Sequence, residues 1–482
     1  MNARVDDALA VLTGEACEPI VDLALCMRDG IVEAHARGGM VAFTAQGPVR
    51  VEGRNPLERG DPGALSPLDA EHAAVRPSND RNHYPFAYDN IAHLFDNPHA
   101  PDIAVVHTPA HNWEDRGGHR GEHGSPDLIQ SRAPLIAAGR GIQRLGSIPR
   151  AARMIDIAPT LALLAGAAPR PDGMLLALQH GRVLDQILDP SDPPKRVVAF
   201  LCDGTNANVL YAMARAGELP NTAKLMEAGT VFEHGLIASF PTVTLANHTT
   251  ALTGVHPGVH GVLHNAYYER ASGRQVNTNS PATWHLARNE ISSEVETVYE
   301  ALARSDAGFT ASINEPCDRG ATYATFDAVR DGGEVVQRLQ TALPDPMNVP
   351  GATRAFVRSK PEYAWSTAAD FMAVQQAGAV WRGEVGNPKP RFMWVNLILN
   401  DAGNHAGGPY SEIGHAALRD TDARLGEIMR SIDEGDDETA FFILADHGME
   451  ESDPDCTGDY GDALQRAGIA FHDEGFGFLY LD

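Results

Sequence analysis

Four apolar runs ending in Asp or His constrain the fold of this chain most. They are Ile103 to His107, Val197 to Asp203, Phe392 to Asp401 and Ala440 to Asp446. Runs of this kind are expected of parallel strands buried on both faces, whose C-terminal ends carry a site. Helix-like stretches lie between them, including Asn208 to Ala216 and Ala417 to Ser431. The alternation predicts an α/β fold, a mostly parallel central sheet with helices on both faces.

Composition narrows the function classes. Of 482 residues, 43% are hydrophobic and 21% charged, with a formal net charge of −26. A surface this acidic argues against binding nucleic acid or anionic membranes, which need basic patches. An anionic substrate would need a locally positive site, which bound metal ions can make. The five cysteines (17, 26, 202, 317 and 456) have no CxxC spacing and read as reduced structural thiols. The first residues lack a basic region followed by an apolar one, and no apolar run approaches the ~18 residues of a membrane span. The expectation is a cytoplasmic protein acting on a small molecule.

Four short motifs carry chemistry. VVAFLCDGTN delivers Asp203 and Gly204 at a strand end. In SFPTVTLANHTTALTGVHPGVHGVLHN, Thr244 opens a predicted helix over Leu245 to Thr253, closed by Gly254. A hydroxyl at a helix N-terminus sits among free N–H groups, a natural phosphoryl site, although a plain N-cap explains Thr242 or Thr244 equally well. In NLILNDAGNHAGGP, Asp401 and His405 are four apart, a carboxylate and an imidazole that suit zinc. In FFILADHGME, Asp446 and His447 leave a strand together. Each motif alone is weak; four of them at strand ends reinforce one another.

Taken together, DG, FPTxTxxNHTTxxTGxxPxxHGVxxN, DxxxH and DHGM resemble the type I phosphodiesterase/nucleotide pyrophosphatase family of the alkaline phosphatase superfamily. The resemblance implies a three-layer α/β/α sandwich. It implies Thr244 as nucleophile and Asn265 on the phosphoryl oxygen. It also implies two zinc ions, one held by Asp203, Asp446 and His447 with Thr244, the other by Asp401, His405 and one more histidine.

That last histidine is out of place. The family supplies it well after DHG, yet only 35 residues follow His447 (482 minus 447). The matching segment, GGHRGEHGSPDLIQSRAPLIAAGRGI followed by MIDIAPTLALLAG, stands near the N-terminus instead. Its histidine is His123, with His119 and His111 as alternatives. The two blocks complement rather than repeat each other, which predicts circular permutation, reasonable where chain ends meet at the surface.

The expected organisation is a permuted segment over 1–170, a Pro-rich linker over 171–194, a nucleophile-bearing core over 195–270, an inserted cap over 271–390 and a metal-binding core over 391–482. Tyr267, Tyr268, Trp284, Tyr323 and Phe326 in or beside the insertion are aromatic candidates for a leaving-group pocket, or ordinary packing residues. The expected function is a zinc-dependent phosphodiesterase acting through a phosphothreonine, on a phosphodiester, pyrophosphate or phosphonate. A phosphonoacetate hydrolase and a catalytically silent metal-binding scaffold are the alternatives. Oligomeric state stays open.

Overall fold

The computed structural model describes residues 2–58, 84–113, 118–332, 361–432 and 437–482. Strand Arg196–Cys202 lies inside an eight-stranded sheet, paired in parallel with Phe392–Leu397 on one side and Thr439–Leu444 on the other. Its side chains alternate between two cores. Val197, Ala199 and Leu201 face one, which includes residues of helices Ile157–Leu164, Thr244–Thr253 and Val298–Arg304. Val198, Phe200 and Cys202 face the other, with helices Ala207–Arg215, Pro361–Trp381 and Glu412–Ser431. A strand buried on both faces has no polar alternation, which is why its sequence is apolar throughout. The result is the expected three-layer α/β/α arrangement.

The sheet is parallel except around Leu135–Gly139, which runs antiparallel to Thr439–Leu444 and to Thr230–Phe232. That strand comes from the N-terminal third, so this part of the chain is built into the same sheet as the DG and DHG segments.

One of the four apolar runs belongs elsewhere. Ile103–His107 pairs antiparallel with Val21–Arg28 and with Phe478–Leu481 in a separate seven-stranded sheet. The mistake has a physical source. Ala104 and Val106 face one core, while Ile103 and Val105 face another, so this antiparallel strand carries the apolar run of a parallel one.

Of residues 271–390, expected as a cap, 333–360 lie outside the described residues, and parts of the remainder are built into the central sheet. Strand Thr310–Ile313 pairs in parallel with Phe392–Leu397 and extends the central sheet, with Tyr323–Ala324 beyond it. Helix Pro361–Trp381 covers one face of the same sheet, burying Val374, Ala377, Val380 and Trp381. Within the Pro-rich segment 171–194, Leu175, Leu176, Leu184, Ile187 and Leu188 are buried in the main core, and Leu188 bridges to Ile142. Of the aromatic candidates, Tyr267 and Phe326 are buried, and Trp284 packs beside Trp365 with ring centroids 5.9 Å apart.

All five cysteines are free, four of them buried. Among the described residues, no helix is long and apolar enough to cross a membrane.

Candidate metal centre

Asp203 sits in the turn just after strand Arg196–Cys202, and Asp446 and His447 follow strand Thr439–Leu444. Parallel pairing of these strands brings the three side chains together, with ligand atoms within 4.8 Å of one another. The Asp446 Oδ2 to His447 Nε2 distance is 3.1 Å. All three residues are buried, Asp446 and His447 completely. Burying two carboxylates side by side is costly unless positive charge compensates.

Gly204 explains the DG pair. Its φ is +61°, the left-handed region that favours glycine, and a Cβ there would overlap the Asp401 carboxylate. Its N–H donates to Asp446 Oδ1 at 3.0 Å. Asn404 Nδ2 donates to the Gly204 carbonyl at 2.9 Å, tying the turn to helix Leu399–Gly407. That helix places Asp401 and His405 one turn apart on one face, with Asp401 Oδ2 3.5 Å from His405 Nε2.

His123 reaches the same place from the N-terminal third. Gly121–Glu122 pairs antiparallel with Glu450–Glu451, just beyond DHG, and Gly124 bridges to Thr242, just before the proposed nucleophile. Clamped between them, the His123 ring stacks on His447 with centroids 3.8 Å apart and lies 5.2 Å from His405. His123, Asp401 and His447 offer ligand atoms within 4.8 Å of one another.

The three imidazoles share one orientation device. Nδ1 of His123 donates to the Thr242 carbonyl at 2.9 Å, that of His405 to the Gly121 carbonyl at 2.8 Å, and that of His447 to the Gly448 carbonyl at 2.8 Å. Each bond sets the tautomer that leaves Nε2 a bare lone pair, as metal-binding histidines require. His447 Nε2, Asp203 Oδ1, Asp401 Oδ1 and Asp446 Oδ2 are buried without a hydrogen-bond partner. The donor set therefore fits divalent cations, and mixed N and O ligands fit zinc.

The electrostatics agree with a cation site. Burial, followed by the Asp446 charge, pushes the Asp203 carboxyl well above its ordinary range. Burial would raise Asp446 too, but His447 and His248 outweigh it and hold that carboxyl well below the usual range. Burial opposes protonation of His447, but Asp446 and the other carboxylates outweigh it and push the ring up to about 9, so that with no cation at the site a proton occupies Nε2. His123 is driven well below its ordinary value by burial and by the neighbouring His447 and His405, so it is neutral.

Thr244 is the first residue of helix Thr244–Thr253, buried, with Val243 as N-cap and Gly254 as a left-handed C-cap. Asn265 Oδ1 accepts the Leu245 N–H at 3.1 Å, which holds the Asn265 side chain at the start of that helix. Of the alternative histidines, His119 lies beside His405, ring centroids 4.5 Å apart, and forms a group with buried Glu122. His111 is elsewhere, paired with His107 at 2.8 Å. Sequence reasoning missed Glu122 and also His248, whose position four residues after Thr244 was the available signal.

Residues 197–481 match the family model for type I phosphodiesterase/nucleotide pyrophosphatase, more than half of the chain. The chain belongs to this family. Mouse ectonucleotide pyrophosphatase/phosphodiesterase family member 3 is 24% identical over 274 residues, covering 55% of this chain and 27% of the relative. Venom phosphodiesterase 2 of Crotalus adamanteus is 26% identical over 260 residues, covering 53% of this chain and 27% of that one. The chain thus spans about a quarter of the length of these family members. Among solved structures, phosphonoacetate hydrolase from Sinorhizobium meliloti 1021 is similar at 18% identity and a TM-score of 0.36, covering 57% of this chain and 59% of that one. Murine ectonucleotide pyrophosphatase/phosphodiesterase 5 is similar at 15% identity and a TM-score of 0.34, covering 52% and 57%. The family match begins at residue 197, so His123 lies outside the matched span.

Proposed function

We propose that the chain is a two-zinc phosphoric ester hydrolase of the phosphodiesterase/nucleotide pyrophosphatase type, with Thr244 as nucleophile, on a circularly permuted scaffold. The observation that carries it is His123. Supplied from the opposite end of the chain, it lies against His447 and Asp401 with its Nε2 side available. With it the proposed ligands number six: Asp203, Asp446 and His447, then Asp401, His405 and His123. His447 lies within reach of both Asp203 with Asp446 and His123 with Asp401, while the ligand atoms of His405 group with those of His119 and Glu122.

Paired zinc ions would supply positive charge at the attacking and leaving oxygens of an in-line displacement. The chain's own residues do the rest. Thr244 Oγ attacks phosphorus as the bond to the leaving oxygen breaks, and the proton lost by the hydroxyl ends, through solvent, on the leaving oxygen, which departs as the free alcohol. Water then attacks the phosphothreonine, restoring the hydroxyl and releasing the second product, with net retention at phosphorus. Asn265, held by its bond to Leu245 N–H, keeps its amide N–H₂ available for a phosphoryl oxygen. A neutral amide there suits a singly charged diester better than a doubly charged monoester. The substrate is a small phosphodiester, pyrophosphate or phosphonate.

Metal analysis of the purified protein, beside assays with bis-p-nitrophenyl phosphate, p-nitrophenyl phosphate, a nucleotide pyrophosphate and phosphonoacetate, tests this reading. About two zinc ions per chain, as a two-metal site requires, and turnover of the diester above the monoester are expected. Phosphonoacetate turnover with little diesterase activity would move the assignment to C–P bond hydrolysis. A protein with neither metal nor activity would be a silent scaffold.

A further inference from the structure

His248 stands one turn beyond Thr244 on helix Thr244–Thr253, on the same face and completely buried. Its ring lies between carboxylates on both edges. Nε2 is 3.5 Å from Asp446 Oδ2 and 3.7 Å from Asp203 Oδ2. Nδ1 is 2.9 Å from Glu315 Oε2. Glu315 is itself fully buried and fixed by two donors, the Trp394 indole N–H at 3.0 Å and the Cys317 backbone N–H at 2.8 Å. Trp394 is on a central strand, so the line Trp394, Glu315, His248 runs from the sheet to the metal-binding carboxylates.

The two oxygens of Asp203 have different surroundings. Oδ2 faces His248, while Oδ1 lacks a hydrogen-bond partner and faces His447 Nε2 at 3.9 Å. Asp446 is held on one side by the Gly204 N–H, and its Oδ2 lies between His248 and His447. His248 Nε2 makes no hydrogen bond at these distances, but it faces one oxygen of each aspartate, from the one ring that Glu315 holds in place.

We propose that His248, anchored by Glu315, is a positioning residue that orients Asp203 and Asp446 for metal binding without being a ligand itself. The proposal rests on the reading of those aspartates as zinc ligands. It couples the helix that carries Thr244 to the metal site through one rigid side chain. Outer partners of metal ligands typically contribute 10- to 100-fold in metal affinity.

The test uses full-length wild type, His248→Gln and Glu315→Gln, with zinc affinity measured by chelator competition and folding checked by circular dichroism. The expected result is about 10- to 100-fold weaker zinc binding in His248→Gln and a smaller change in the same direction in Glu315→Gln. Saturating zinc should restore the wild-type metal content of both. If His248→Gln fails to fold, the Glu315→Gln affinity decides the matter. Folded variants with wild-type zinc affinity would overturn the proposal. So would a His248→Gln protein that stays one zinc short at saturation, because His248 would then be a ligand. Wild-type protein that binds no zinc would overturn the underlying functional reading as well, and that is seen before any variant is compared.

Discussion

The rings of His123 and His447 stack at 3.8 Å with 16° between their planes, although one comes from the N-terminal third and the other from near the C-terminus. Two local pairings hold them there, Gly121–Glu122 against Glu450–Glu451 and Gly124 against Thr242. Through this contact a segment of the N-terminal third reaches the candidate site, whose other residues lie downstream of residue 197.

His123→Ala should therefore bind less metal than the wild type and lose about 100-fold or more of its diesterase turnover, since a ligand matters more than the outer-shell partners that set that scale. His111→Ala, whose ring is bonded to His107 and the Gly458 carbonyl, should retain both metal and turnover. Metal analysis and steady-state rates on the two variants check this. Equal effects would mean that His123 is not a ligand.

Gly204→Ala tests the DG turn. The substitution meets a positive φ, costing about 1–2 kcal/mol for an L-residue, and its methyl would push into Asp401. The expected outcome is a modest fall in melting temperature with a severe loss of metal at the Asp401 side. A variant that loses stability but keeps full metal content would show that the Asp401 contact relaxes.

Chain order itself can be tested. Helix Asn2–Leu12 and the C-terminal strand Phe478–Leu481 contribute to the same small core through Val5, Ala8, Leu12 and Leu479. A chain beginning at Lys195, with Asp482 joined to Asn2 by a short flexible linker, should fold with the same far-ultraviolet spectrum and keep its diesterase activity. Failure to fold would argue that the observed order is required by the fold and is not a permutation.

Stability should fall in acid through histidines buried in the neutral form. His260 is fully buried and pushed down to about 3 by burial first and the neighbouring His256 second. Its Nε2 lies 3.1 Å from Thr250 Oγ1, and its Nδ1 accepts the Val262 N–H. The unfolded chain binds this proton below its ordinary value of about 6.5, while the folded chain does not. The resulting stability is complete above that value and is lost as pH falls from there toward 3. His260→Gln should flatten the dependence of melting temperature on pH between about 6.5 and 4, by up to about 3 kcal/mol at the lower end. An unchanged slope would place the acid sensitivity elsewhere.

Much of this was legible in the sequence because apolar runs and strand-end motifs are local signals. Asp203, Asp401, His405, Asp446 and His447 stand where strands end or one helical turn apart, which marks each weakly, and the family resemblance is what joins them into one expected set. Ile103–His107 misled because burial on both faces erases the alternation that marks an antiparallel strand. Thr310–Ile313 was missed because a four-residue strand is too short to show a pattern. Glu315 and Glu122 were invisible for another reason. A buried carboxylate reveals itself only through the groups folded around it, here Trp394 and His248 for Glu315, and His119 and His405 for Glu122.

If Thr244 is the nucleophile of a two-metal site assembled from both ends of the chain, Thr244→Ala should lose turnover and keep its metal. Steady-state turnover of bis-p-nitrophenyl phosphate, with zinc content measured on the same sample, should fall by about a thousandfold or more, the scale of removing an activated nucleophile, with zinc close to that of the wild type. Turnover near the wild-type rate in a zinc-loaded variant would contradict that role for Thr244.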